Sequence, residues 1–413
     1  MKKQWRLPDF RILNAKDGSF FYFNAENMSL CEIDAPIVQL IRNIALNGFT
    51  DEALGDIYFS DLLENNIVVD GFEPITKIKT PSAFRLVLTE NCNLACAECF
   101  VTKGQEHCKS MTTQTLYKVI DETITKTKSR ASFYHFFGGE PLLRFDLIEQ
   151  AVSRLEKAYE KGLIKKPRYG ITTNGTLIDE RILDFFKIHS FEVGISIDGK
   201  RETHNKLRPY KDGSGTFDDV KEKYLWMHNN GVDVHVLITP NPIFLSETVS
   251  IAEYMMDNFP MKTLTINTPF VYNSLEWSVP GRDFARILFE IMRIGKKKGV
   301  MIESAASAVI AAISNKQRRT QSCSIRGGTY MSSINPDGKF SICSQKWLEN
   351  FYEDNWNQNV QKSKKCESCH ARNYCGGVCP AVRLLTGKEY DVNKCVFMDA
   401  ILREIVNNLD ILV

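Results

Sequence analysis

From Phe84 onward, short apolar runs alternate with longer stretches whose apolar positions recur at helical spacing. The short runs are Arg85–Thr89, Phe133–Phe137, Tyr169–Thr173, Val193–Ile197, Val232–Ile238 and Thr263–Thr268. Their length and their β-branched and aromatic content predict strands. The stretches near 112–127, 145–161, 178–188, 216–230, 245–258 and 282–299 predict amphipathic helices. Strand followed by helix, six times over, predicts an α/β fold with a parallel sheet and right-handed crossovers. The pattern alone fits a doubly wound sheet or a partial barrel.

Upstream, residues 1–78 follow a different pattern. Phe10–Leu13 and Phe20–Phe23 flank Ala15-Lys16-Asp17-Gly18-Ser19, a hairpin signal. Pro36–Leu46 is helical in spacing and is stopped by Asn47-Gly48. A helix starting at Thr50-Asp51-Glu52 and running to about Leu63 follows, then a strand at Ile67-Val68-Val69. Residues 72–83, with Pro74 and Pro81, predict a linker. Downstream, residues 301–319 contain an Ala-rich helix over Ala305–Ile313 that bridges to a final segment, 320–413.

Composition narrows the classes. At 413 residues the chain can bury more than one core. Lys+Arg 52 against Asp+Glu 50 gives +2, too balanced for nucleic acid as the main partner. No run of about 18 apolar residues predicts a membrane span, and no apolar stretch follows Met1-Lys2-Lys3 to make a secretory signal. Cys 12 in such a chain therefore predicts metal ligands in a cytoplasmic protein rather than disulfides.

Three thiols, Cys92, Cys96 and Cys99, fall just after the first strand. Neighbours so close would form only strained disulfide loops. Thiolates select zinc, copper or iron–sulfur centres, and three of them leave one position of a cubane open. The Cys-x3-Cys-x2-Cys spacing resembles the signature of the radical S-adenosylmethionine (SAM) enzymes. That resemblance implies a [4Fe–4S] cluster whose fourth iron chelates SAM and whose electron cleaves it to methionine and a 5′-deoxyadenosyl radical. Further motifs fall at the following strand ends, where barrel enzymes carry their chemistry, so a partial (β/α)6 TIM-like barrel is expected for residues 79–300. Phe137-Gly138-Gly139-Glu140-Pro141 resembles the family's SAM-ammonium motif, and Thr172-Thr173-Asn174-Gly175-Thr176 resembles the turn beneath SAM. Ser196, Asp198, His204 and Arg208 follow the fourth strand, with Ser196 and Arg208 implied at the ribose and carboxylate of SAM. Thr268-Pro269-Phe270 is implied beside the adenine.

Departures from the family pattern are Asn205 where an Asp is usual, and Glu98 where an aromatic residue is usual, with Phe100 just after. Cys31 and Cys108 fit no ligand spacing and are expected to be small buried hydrophobes.

Seven more thiols, Cys323, Cys343, Cys366, Cys369, Cys375, Cys379 and Cys395, resemble the SPASM extension of radical SAM maturases. The resemblance implies two auxiliary iron–sulfur clusters, expected as [4Fe–4S]. One is held by Cys366, Cys369, Cys375 and Cys395, the other by Cys323, Cys343 and Cys379. Zinc is the alternative for Cys366-x2-Cys369 taken alone. The N-terminal unit resembles a winged-helix-like peptide-recognition module that takes a leader peptide as an added strand.

The combined resemblance implies a radical SAM/SPASM peptide maturase that abstracts hydrogen from a ribosomally made precursor peptide and installs an intramolecular crosslink, carbon–carbon or thioether. A reductant such as flavodoxin or ferredoxin would supply electrons. A sulfatase-maturing, formylglycine-generating enzyme is the alternative, although Ser344 follows Cys343 where that family has Asp. The non-enzyme alternative is an iron–sulfur electron carrier or a peptide-binding scaffold. No side chain is singled out as a general base.

Overall fold

The computed structural model describes residues 5–70, 83–97, 99, 101, 108–127, 132–242, 245–268, 279–315, 331–341, 364–367, 369–377 and 391–411.

The N-terminal unit comprises β1 (Trp5–Arg6), β2 (Phe10–Asn14), β3 (Phe20–Asn24), β4 (Leu30–Ile33), α1 (Ala35–Asn47), α2 (Asp51–Leu54), α3 (Phe59–Glu64) and β5 (Val69–Asp70). β2, β3 and β4 form an antiparallel meander, and β1 pairs with β5. The predicted hairpin is present. Gly18 sits at φ 92 and donates its N–H to the Ala15 carbonyl at 3.1 Å, a conformation that glycine adopts without strain. The single helix expected from Thr50 to about Leu63 is broken in two. Thr50 caps α2 by accepting the Ala53 N–H at 3.2 Å, and Gly55, a poor helix former, ends it after one turn. β4 was not foreseen, because Leu30-Cys31-Glu32-Ile33 is short and carries a central charge. Alternation along β3 turns Tyr22 toward a local core with Ile41, Leu62 and Ile67, and turns Phe21 and Phe23 toward the main core.

The main sheet contains every predicted strand, within two residues at each end. These are β6 (Ala83–Thr89), β7 (Phe133–Gly138), β8 (Arg168–Thr173), β9 (Glu192–Ser196), β10 (Asp233–Ile238) and β11 (Thr263–Ile266). Chain order and spatial order coincide, and all these neighbours pair in parallel. Following them are α4 (Thr113–Thr127), α5 (Phe145–Glu160), α6 (Glu180–Ile188), then α7 (Arg201–Leu207) and α8 (Phe217–Asn229), α9 (Thr248–Asn258) and α10 (Gly281–Lys298). The result is a mixed α/β fold on a parallel sheet, consistent with a TIM-like barrel.

Alternate residues, such as Tyr134 and Phe136 of β7, are fully buried against helices. Their neighbours Phe133, His135 and Phe137 are only half-buried on the other face. Each large apolar side chain so buried contributes about 1.5–3 kcal/mol, which fixes the sheet register.

Two elements of this region were not foreseen. α7 lacks an apolar stripe, and β12 (Met301–Glu303) extends the sheet beside β11. β13 (Met331–Ile334) pairs in parallel with β6, then turns through Asn335–Lys339 into antiparallel β14 (Phe340–Ser341). The sequence Asn335-Pro336-Asp337-Gly338 predicts a turn between two short strands, and both strands and the turn are present: Gly338, at φ 82, donates its N–H to the Asn335 carbonyl at 2.8 Å. The Ala-rich helix is present as α11 (Ala305–Ser314), with Ser304 closing a capping box.

The C-terminal region adds α12 (Lys364–Glu367), α13 (Arg372–Cys375) and α14 (Val392–Asn407). α14 lies along α10, where Phe284 stacks on Phe397 at 5.3 Å. The N-terminal meander packs against this region through Phe23 and Tyr374 (5.6 Å between rings) and through Arg11, which contacts His370 and Asp399.

Candidate active site

Cys92, Cys96 and Cys99 lie in an irregular loop that leaves the C-terminal end of β6. Backbone pairing holds the loop down. Ala95 and Ala97 donate their N–H groups to the carbonyls of Pro209 and Leu207, each at 2.9 Å, and Leu94 bridges to Tyr210. This lays the cysteines along the segment after α7. All three side chains are half-buried.

Protein donors reach the sulfurs. Cys92 Sγ accepts the Leu94 N–H at 3.4 Å and the Asn174 amide at 3.8 Å, and Cys96 Sγ accepts Arg208 Nη1 at 3.9 Å. Burial pushes the Cys92 thiol up to about 12 and raises that of Cys96. Mutual repulsion among the three sulfurs adds to the rise at both. Metal binding needs the thiolate, so a cation must offset that cost, and it would be favoured by the same N–H donors. Among the described residues no group of three or more His, Cys, Asp or Glu could hold a metal ion as placed. A single tetrahedral ion draws its ligands around one centre, whereas a cubane spreads them over separate irons. Three soft donors on one loop, each within electrostatic reach of the others, fit the latter group.

The Gly-Gly pair follows β7 and packs on the backbone of the cysteine loop. A Cβ on Gly138 would stand 2.2 Å from the Thr89 carbonyl oxygen, and one on Gly139 would stand 2.3 Å from that of Asn91. The N–H groups of Gly139 and Glu140 are taken by those two carbonyls, each at 2.8 Å. Glu140 is fully buried. Its carboxylate accepts the Asn174 N–H (2.8 Å), the Thr173 hydroxyl (2.8 Å) and the Leu142 N–H (3.0 Å). Burial outweighs these bonds and pushes the Glu140 carboxyl up to about 7. The side chain therefore ties two strand ends together rather than facing open space.

Asn174 is likewise committed. Its amide donates to Asn93 Oδ1 at 2.9 Å as well as to Cys92, and its own oxygen accepts from the Thr176 N–H and hydroxyl. Asn93 returns a bond to Thr176 Oγ1 at 2.8 Å. Thr176 belongs to the turn motif and Asn93 to the cysteine stretch, but the sequence assigns neither of them a role. The signal was their place within those motifs.

Arg208 bridges Cys96 to Asp198, donating from Nε to Asp198 Oδ2 at 2.5 Å. Burial works against its charge, but Asp198 and Cys96 more than restore it and raise its pKa. The other oxygen of Asp198 accepts the Thr239 N–H at 2.7 Å, fixing the end of β10 to that of β9. His204 is buried between the Asp198 N–H and Thr216, and burial lowers it to about 3, so it is a neutral structural imidazole. Asn205 accepts the N–H groups of Thr216 and Phe217, each at 2.9 Å. Only its oxygen is used, so Asn serves there as Asp would. Ser196, half-buried at the end of β9, has a hydroxyl committed to no other described side chain.

Of the later cysteines, Cys323, Cys343 and Cys379 lie outside the described residues, as do Glu98, Phe100, Pro269, Phe270 and Ser344. Cys366, Cys369, Cys375 and Cys395 are brought together. Cys395 is pushed up to about 11 by burial and then by the other three thiols. Cys31 and Cys108 are half-buried rather than buried as expected; Cys31 lies on β4, and Cys108 precedes Lys109, which pairs with Glu90 ahead of the cysteine loop.

Residues 86–255 match the Radical SAM superfamily. The chain thus carries a radical SAM domain, the core of an enzyme superfamily. It is 24% identical over 423 residues to the radical SAM cyclopropyl synthase TigE of Paramaledivibacter caminithermalis, covering 88% of this chain and 86% of that one. It is 30% identical over 155 residues to the serine-type anaerobic sulfatase-maturating enzyme of Bacteroides thetaiotaomicron, covering 36% of this chain and 37% of that one. The chain spans less than half the length of several curated relatives it matches. Among solved structures, anSMEcpe with bound AdoMet and Cp18Cys peptide superposes with a TM-score of 0.65 at 19% identity, over 80% of this chain and 98% of that one. Streptococcus suis SuiB bound to the precursor peptide SuiA superposes at 0.56 and 14% identity, over 94% and 99%.

Proposed function

We propose that this chain is a radical SAM peptide maturase that forms an intramolecular bond in a ribosomally made precursor peptide. The observation that carries the proposal is the cysteine loop: three thiols on one loop, with Asn174 and Arg208 donating to two of them, while Ser196, at the C-terminal end of β9, has a hydroxyl committed to no other described side chain. Cys92, Cys96 and Cys99 would hold a [4Fe–4S] cluster, which supplies reductive cleavage of SAM when bound. Around it, Gly138 and Gly139 let the β7 turn close on the loop. Glu140 and Asn174 hold the neighbouring turns, Arg208 keeps a cation beside Cys96, and Ser196 is left to hydrogen-bond the nucleoside.

The remaining cysteines would hold two auxiliary iron–sulfur clusters as the sequence implies, and a flavodoxin or ferredoxin would supply electrons in the cytoplasm. In this proposal residues 1–78 form the leader-recognition domain, 79–300 the radical SAM domain, 301–319 the bridge and 320–413 the SPASM domain. Among the described residues no strand pairs with the outer edge of β4, which supports the first of these. That edge borders a cavity of about 470 Å³ lined by Leu30, Cys31, Asn65, Asn66, Ile310 and Ile313, with space for an extended peptide to add as a strand. The cyclopropyl synthase relative, matched along most of the chain, favours carbon–carbon bond formation over a thioether. A second reading, formylglycine formation, is favoured by the match to the sulfatase-maturing relative within the barrel.

Incubation with a precursor peptide encoded beside the gene, SAM and reductant tests the proposal. A loss of two hydrogens, located by fragmentation to two joined residues, is expected. Conversion of a single Ser or Cys to formylglycine would favour the second reading and overturn the first.

A further inference from the structure

Lys394 is buried, at 7% exposure, and the donor Nζ makes one hydrogen bond, to the Gly377 carbonyl at 2.6 Å. Among the described residues no carboxylate pairs with it. It also stands in the first turn of α14, where the helix dipole is positive and a cation is disfavoured. A buried, unpaired ammonium costs several kcal/mol unless an anion answers it. One thiol shares its hydrogen-bond partner. The Gly377 carbonyl is shared with Cys375 Sγ, at 3.7 Å, and Cys395 is the next residue. Cys366, Cys369 and Cys375 all act electrostatically on Cys395, and so does the cation of Lys365.

We infer that Lys394 is a buried counter-cation, beside the more exposed Lys365 and Arg11, of an anionic iron–sulfur cluster held by Cys366, Cys369, Cys375 and Cys395, and that it raises that cluster's reduction potential. The inference rests on the proposal that these four cysteines hold such a cluster. A tetrathiolate cubane is negatively charged in both oxidation states and gains one more negative charge on reduction. A fixed cation beside it, with the positive end of α14, stabilises the reduced form more than the oxidised one and raises the potential. That is the direction needed of a cluster that accepts an electron from a substrate radical. Lys394 is a positioning and tuning residue; it touches neither SAM nor peptide.

The experiment uses full-length protein with Cys92, Cys96 and Cys99 replaced by Ala, reconstituted with iron and sulfide. The C-terminal cluster is identified as the spectroscopic signal lost on Cys369→Ala. Lys394→Met should lower its midpoint potential by about 59 mV, a tenfold change in a one-electron equilibrium, and Lys394→Arg should restore it. Lys394→Met should also lower the melting temperature of the loaded protein while leaving that of the cluster-free protein unchanged or higher. An unmoved potential, with equal loss of stability in both forms, would mean that Lys394 only braces the Gly377 loop, and would overturn the inference. If no signal depends on Cys369, the cluster assignment falls and the inference with it.

Discussion

The carboxylate of Glu140 accepts the backbone N–H of Asn174 at 2.8 Å, joining the turn after β7 to the turn after β8. Asn174 in turn donates to Cys92, so a buried acid lies one residue removed from the Cys92 sulfur.

Glu140 carries a pH dependence. Its carboxyl is raised from 4.5 to about 7, chiefly by burial. Between those values the folded chain holds a proton that the unfolded chain has released. Stability from this group is therefore complete below pH 4.5 and is lost as pH rises through about 7. Glu140→Gln cannot ionise, so its melting temperature should fall less than the wild type's between pH 5 and pH 8. Parallel curves would contradict this.

Gly139→Ala places a Cβ against the Asn91 carbonyl, which must shift. The expected cost is about 1–3 kcal/mol. Because Asn91 precedes Cys92, SAM cleavage should fall at least tenfold with the far-ultraviolet circular dichroism spectrum unchanged. Wild-type turnover would show that the loop tolerates the shift without function being affected.

Arg208 forks between Asp198 and Cys96. A lysine cannot make both contacts from one planar group. Arg208→Lys should weaken SAM binding about tenfold in equilibrium dialysis while changing stability little. Asp198→Ala instead leaves the guanidinium without its carboxylate and should cost about 3–5 kcal/mol in denaturant unfolding. Equal, small effects from both variants would refute the bridge.

The cavity beside β4 gives a separable prediction. Ile313→Trp fills it from α11, far in the fold from the cysteine loop. Precursor-peptide affinity should drop at least tenfold by fluorescence anisotropy, with peptide-independent SAM cleavage unaltered. Unchanged affinity would place peptide recognition elsewhere.

The sheet was legible because β6 to β11 and their helices carry strong periodicity, so burial alone dictates their type. The elements that escaped are those fixed by tertiary contacts. β12 is a short strand recruited by the sheet edge, α7 has no apolar stripe, and the break at Gly55 is a local propensity effect within an otherwise continuous pattern. At the site, Cys92, Cys96, Cys99, Gly138, Gly139, Asn174 and Arg208 were visible as motifs. What each side chain does was not. That Glu140 is spent on the next turn, that Asn174 faces Cys92, and that Asn205 caps α8 are facts of geometry between strand ends that spacing does not encode. Lys394 was invisible because nothing in its sequence neighbourhood marks it as buried.

The central claim is most directly tested by anaerobic reconstitution with iron and sulfide, followed by SAM and a strong reductant, with 5′-deoxyadenosine quantified by liquid chromatography. The wild-type chain should produce it, and Cys96→Ala should produce none. Deoxyadenosine from the variant, or none from a wild type whose clusters are intact, would contradict the assignment of Cys92, Cys96 and Cys99 as the SAM-cleaving centre.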